Sequence, residues 1–214
     1  MLRKLYRRDS PFQERTGTIP IDLETVTEAR LVAQALAGSQ SAFEQIVRRY
    51  QRPVIRLIAR MTGDVAQAED LAQETFVKAF RNLAAFDPTR RLSSWLFRIA
   101  HNTALDALRR VRPVYVPIDV TSGLTGERAG IADLSAPPAP DPVERRALGK
   151  ALESAINELR PEQRVAVALR YEEGLSFDEI GHVLGVPEAT ARSHVHRARK
   201  ELCRRLTAAG WEPS

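Results

Sequence analysis

Apolar residues along this chain recur at three- and four-residue spacing from about Glu28 onward, and no sustained period-two alternation interrupts them. That pattern predicts an all-α protein. One stripe runs through Phe43, Ile46, Val47, Tyr50, Val54, Leu57, Ile58 and Met61, with Ser41 and Glu44 as the expected capping box ahead of it. Pro53 falls inside the stripe and predicts a kink or a split. Gly63 should end this helix and Asp64 cap the next, whose inner stripe is Ala68, Leu71, Ala72, Thr75, Phe76, Ala79, Phe80 and Leu83. Asp87-Pro88-Thr89 marks a turn. After Ser93-Ser94 a further helix carries Trp95, Leu96, Ile99, Ala100, Thr103, Ala107 and Leu108.

Between Val111 and Pro142 no helical stripe survives: six prolines (Pro113, Pro117, Pro137, Pro138, Pro140, Pro142) are interspersed with Gly123, Gly126 and Gly130. Periodicity resumes at Leu148, Ala151, Leu152, Ala155, Ile156 and Leu159, and Pro161 sits where the first turn of the following helix should begin. The expected organisation is a basic, flexible arm (1–27), a helical domain (28–112), a flexible Pro/Gly-rich linker (113–142) and a second small helical domain (143–210).

The second domain holds the most specific local signal. Ser176-Phe177-Asp178-Glu179 reads as a capping box opening a short helix through Ile180, Val183 and Leu184, which Gly185-Val186-Pro187 then breaks. The next helix has an apolar seam of Ala191, Val195, Ala198 and Leu202, with Arg192, Ser193, His196, Arg197 and Lys200 on its other faces. A short helix, a Gly-containing turn and a basic second helix form a helix-turn-helix. Such a helix fits the major groove, where Arg donates two hydrogen bonds to guanine and Ser contacts several base edges.

Charge and composition narrow the partners. The chain has 214 residues, 43% hydrophobic and 28% charged, with a net charge of +5, which suits a folded protein with an acidic partner such as nucleic acid. One cysteine, Cys203, excludes an internal disulfide framework and fits a reducing compartment, the cytoplasm by default. The basic start, Met1-Leu2-Arg3-Lys4-Leu5-Tyr6-Arg7-Arg8, is followed by no long apolar run, so neither a signal peptide nor membrane insertion is expected. His194 and His196 point in different directions from one helix and do not make a metal site with Cys203. There is no phosphate-cradling Gly loop, no His-Glu-x-x-His, no Cys-x-x-Cys and no Gly-x-Ser-x-Gly, so no catalytic residue and no cofactor is expected. A response regulator would need strands alternating with helices, and a plain repressor has no need of the first helical domain.

The run from Leu175 to Ile180, continuing through Val186-Pro187-Glu188-Ala189-Thr190-Ala191-Arg192-Ser193 to His196-Arg197-Ala198-Arg199-Lys200-Glu201-Leu202, resembles region 4 of extracytoplasmic-function sigma factors. Independently, Asp70 to Arg81 resembles the region 2 helix that docks on the polymerase clamp, and Ser94 to Asn102 resembles the promoter-melting segment after it. The resemblance covers about residues 30 to 110 and 143 to 206. It implies a transcription initiation factor whose partners are RNA polymerase core (β′ clamp helices and β flap), promoter DNA and an anti-sigma factor.

On that resemblance, Thr190, Arg192, Ser193, His196, Arg197 and Lys200 are expected to read the minus-thirty-five duplex. Asp70, Gln73, Glu74, Lys78 and Arg81 share a polar face expected to meet the β′ subunit, although a Glu74–Lys78 pair is also what any surface helix would form. Phe86, Arg90, Arg91, Arg98, His101 and Asn102 are expected at the minus-ten element, Asn102 because an amide both donates and accepts at the edge of a flipped base. Trp95 is expected in the core. Ala189, Ala191 and His194 depart from the Gly, larger apolar residue and Arg that many members carry there, so the promoter sequence cannot be borrowed from relatives.

Overall fold

The computed structural model describes residues 23–111 and 142–211. Within them the chain is helical, with no strand: α1 (Leu23–Leu36), α2 (Gln40–Thr62), α3 (Val65–Arg81), a 3-10 turn (Leu83–Ala85), α4 (Leu92–Val111), α5 (Pro142–Asn157), α6 (Pro161–Tyr171), α7 (Phe177–Leu184) and α8 (Glu188–Ala208). α1 begins at Leu23, inside the expected arm, while residues 1–22 and nearly all of the expected linker lie outside the described residues.

Local chemistry explains most boundaries. α2 is capped by Ser39, whose hydroxyl accepts from the Ala42 amide, so the cap falls two residues before the expected Ser41. Gly63 ends α2 in the left-handed conformation (φ 74°), and the Asp64 carboxylate accepts from the Gln67 amide at the head of α3. Pro53 neither ends nor divides α2, because the buried row Ile46, Tyr50, Val54, Leu57 and Ile58 holds both flanking turns to the core. α4 starts at Leu92, which puts Ser93 and Ser94 in its first turn and buries both.

α2, α3 and α4 pack into a three-helix core with α1 laid along α2, where the buried Tyr50 hydroxyl donates to Glu28 and burial pushes its pKa far above normal. Phe80 leaves the predicted inner stripe: it is 57% exposed and meets Phe43 edge-on at 4.9 Å, at the periphery of the α2–α3 seam. Phe97 is wholly buried, and Trp95 is half-buried against Phe86. In the second half, α8 packs on α5, α6 and α7. The halves also meet each other, α6 on α2 and α7 on α4, so that one apolar cluster runs from Val32 in α1 to Val195 in α8.

Candidate nucleic-acid interface

α7, its turn and α8 are set by local hydrogen bonds. The Ser176 hydroxyl accepts from the Glu179 amide at 3.2 Å while the Glu179 carboxylate accepts from the Ser176 amide at 2.7 Å, closing the capping box. Gly185 (φ 69°) ends α7, and the Val186 amide donates back to the Gly181 carbonyl at 3.0 Å. This return brings the turn so close that a Cβ at Gly181 would lie 2.7 Å from the Val186 carbonyl oxygen and 3.3 Å from the Glu188 amide. Gly181 therefore lets the turn lie against α7, whereas Gly185 supplies the left-handed stop. The signal of Gly181 in the sequence is a glycine within a short capped helix, four residues before the one that breaks it.

α8 turns its seam inward, with Ala191, Val195, Ala198, Leu202 and Leu206 buried. That orientation leaves Arg192, Ser193, His196, Arg197 and Lys200 exposed along one side, with Thr190 half-buried at its start. Arg192 is braced: it pairs with Glu188 at 2.8 Å and lies 4.8 Å from the Phe177 ring centroid. The Ser193 hydroxyl donates to the Ala189 carbonyl at 2.9 Å and keeps its lone pairs for an outside donor.

The expected minus-ten residues divide. Phe86 is buried, and its ring meets Trp95 at 5.5 Å, so it shapes the site from beneath. His101 is also buried, Nδ1 finds no hydrogen-bond partner, and burial holds its pKa below the ordinary value of 6.5 against the upward pull of Asn102 and Glu162. Asn102, Arg90 and Arg98 are exposed and Arg91 is half-buried. Asp87 orders the preceding loop by accepting from both the amide (2.9 Å) and hydroxyl (2.7 Å) of Thr89, hydrogen bonds that lower its pKa.

Two of these arginines already have partners in the second half. Arg98 Nη1 faces the His182 ring nitrogens at 3.0 and 3.3 Å, and Arg91 Nε stands 3.9 Å from Glu179. Arg90 and Arg98 share an open cleft of about 370 Å³ with Asp178, His182 and the turn through Glu188. Burial, then Arg98 and Arg90, lowers the His182 pKa, while Asp178 opposes them. His182 and Glu179 gave no sign of this role in the sequence, because their partners lie more than 80 residues away.

On α3, Asp70, Gln73 and Arg81 are exposed and Glu74 and Lys78 half-exposed. The intrahelical Glu74–Lys78 pair is present at 2.8 Å, and Lys78 also donates to Thr103 of α4 at 3.1 Å. Gln73 lines a groove of about 420 Å³ between α2 and α3 with Val47, Gln51, Ile55, Glu69, Ala72 and Phe76. Val77 and Phe80, 49% and 57% exposed, add apolar surface to this side. The stripe reading missed them by assigning Phe80 inward.

Two family models match this chain, Sigma-70 region 2 over residues 46–113 and Sigma-70, region 4 over residues 149–202. The ECF RNA polymerase sigma factor SigW of Bacillus subtilis is 36% identical over 178 residues, 82% of this chain and 94% of SigW. The ECF RNA polymerase sigma factor SigE of Mycolicibacterium smegmatis is 35% identical over 196 residues, 90% of this chain and 68% of SigE. Among solved structures, CnrH in complex with the cytosolic domain of CnrY superposes with a TM-score of 0.60 at 26% identity, covering 85% of this chain and 98% of CnrH.

Proposed function

The chain belongs to the extracytoplasmic-function sigma factors of the sigma-70 family, and on that premise we propose that α8 reads a minus-thirty-five duplex while α4 and the loop before it hold a minus-ten strand. The observation that carries this reading is the exposed row Arg192, Ser193, His196, Arg197 and Lys200 on a helix whose opposite seam is buried. Arginine and serine on such a row, Arg197 among them, have the donors and acceptors that major-groove edges require, and Lys200 neutralises phosphates alongside.

On α4, Arg90, Arg91 and Arg98 supply positive charge for the displaced strand, and exposed Asn102 supplies an amide for a flipped base. The polar face of α3 and its groove with α2 dock on the β′ clamp, where exposed Val77 and Phe80 add apolar contact. Polymerase supplies the catalysis; this protein supplies binding energy and position. Among the described residues no helix is long and apolar enough to cross a membrane, and the factor works in the cytoplasm, where core polymerase is. CnrH, of the same fold, is held by the cytosolic domain of CnrY, which supports an anti-sigma partner that covers these faces.

The test is transcription in vitro on genomic DNA of the source organism, with core polymerase alone, with this protein, and with Asn102→Ala. The wild-type protein should switch on discrete start sites, and the variant should lose open-complex formation while keeping duplex binding. If core polymerase gains no start sites although the protein binds DNA, the chain is a helix-turn-helix regulator and this reading fails.

A further inference from the structure

Phe177 lies at the margin of the core, at the first position of α7 directly after the Ser176 cap. Its neighbours Leu175 and Ile180 are wholly buried, whereas the phenyl ring is half-buried. Two guanidiniums from two other helices lie against that ring: Arg170, in the last turn of α6, at 4.6 Å from its centroid, and Arg192 of α8 at 4.8 Å. The ring quadrupole places negative charge on an aromatic face, so Phe177 is a seat for cations as well as an apolar surface.

These residues restrain one another in order. Arg170 Nη1 donates to the Leu175 carbonyl at 2.8 Å, which ties that guanidinium to the backbone leading into α7. Arg192 is restrained twice, by the Phe177 ring and by Glu188, one turn earlier on α8, whose carboxylate accepts from Nη2 at 2.8 Å. An unrestrained arginine samples many rotamers, and fixing it on a ligand costs conformational entropy. Restraint in the free protein removes part of that cost in advance. It also changes what the side chain selects. A mobile guanidinium binds any phosphate, but one held in place, with Glu188 offsetting its charge, favours a fixed pair of acceptors. The O6 and N7 atoms on the major-groove edge of guanine are such a pair, and the N–H groups of Arg192 not taken by Glu188 can serve them.

We propose that Phe177 is a positioning residue for base reading: its ring, anchored through Arg170, acts with Glu188 to hold the Arg192 guanidinium ready for the O6/N7 edge of one guanine in the duplex. The inference rests on the assignment of α8 to promoter DNA made above. Orientation is the whole of the role, so loss of the ring costs selectivity at one base pair and not binding in general.

Transcription by the holoenzyme, core polymerase with the full chain, tests this on a template library randomised across the minus-thirty-five element, each template carrying a transcribed barcode. Barcode counts give the base preference at every position. Arg192→Ala should lower the preference for guanine at one position about tenfold. Phe177→Leu keeps apolar bulk but removes the ring; it should lower the preference at that same position about three- to fivefold and leave the others as in wild type. Phe177→Tyr should restore it. Glu188→Gln, at an exposed site, should weaken the same position. Adding Phe177→Leu to Arg192→Ala should change nothing further, because the ring acts through the guanidinium. Either Phe177→Leu or Glu188→Gln leaving that position unchanged, or Phe177→Leu weakening every position equally, overturns the positioning role. Wild-type preferences that survive Arg192→Ala intact refute the guanine contact, and this proposal with it, while the other residues of α8 keep theirs. A wild type with no preference at any position refutes the assignment of α8 itself.

Discussion

Gly181 shows how one missing methyl group sets the geometry of a reading head. With 2.7 Å between a would-be Cβ and the Val186 carbonyl, Gly181→Ala must push the turn away from α7. Overpacking of this kind costs about 1–3 kcal/mol. Thermal unfolding of the full chain should show the loss, and duplex affinity should fall with it, because the same turn aims α8. Along α8 the residues separate by what they can read. Arg197→Ala removes a two-pronged donor from the exposed face and should cost about 1–3 kcal/mol of duplex binding, with relaxed preference at one position. Lys200→Ala, a point charge, should weaken all sequences alike and lower the salt slope by about one. Binding titrations at several salt concentrations distinguish the two, and equal salt slopes for both variants would place Arg197 on phosphate. These exposed residues were legible from spacing alone. Gly181 was not, since its requirement comes from a return of the chain that periodicity does not encode.

For the helices, the signals that survive folding are those that act within a turn or two. The Ser176–Glu179 box, the Gly63 stop, the Asp64 cap and Pro161 at the start of α6 all stand where local chemistry puts them. Ser176→Ala removes the acceptor for the Glu179 amide, while the backbone amide at position 176 keeps its bond to the Glu179 carboxylate. The expected cost is about 1 kcal/mol, a fall of roughly 2–4 °C in midpoint for a chain of this size. A midpoint unchanged within 1 °C would mean that packing on α4, and not the cap, holds α7. Where two local signals compete, spacing cannot rank them: Ser39 and Ser41 both suit a cap, and only the direction of the chain leaving α1 places Ser39 within reach of the Ala42 amide. Phe80 fails for a related reason. A helical stripe is a straight reading of a surface, and Phe80 meets only the edge of Phe43 and stays 57% exposed.

Across the whole molecule, two histidines make the fold sensitive to acid. His182 faces Arg98 and Arg90 from the first half and Asp178 from its own helix; His101 of α4 is buried, with Glu162 of α6 and Asn102 as the opposing influences. Both pKa values lie below the ordinary 6.5, so between that value and the depressed one the unfolded chain binds more protons than the folded chain. Stability is thus full above about pH 6.5 and declines as pH falls beneath it. Unfolding midpoints measured from pH 7.5 to 5.5 should fall, and His182→Gln should remove part of the slope; a flat profile in the wild type would show that neither histidine is constrained by the fold. What the sequence determined by itself was the helical class, the helix-turn-helix with its exposed basic row and the polar face of α3, because each is written in spacings of three or four residues and in caps. Only the tertiary structure decided that the halves meet, that Arg91 and Arg98 are engaged by α7, that Phe86 and His101 lie inside, and that Arg56 and Arg60 pair with glutamates more than 110 residues away. Those contacts join positions with no common period, and they exist because two apolar surfaces from distant segments are covered together.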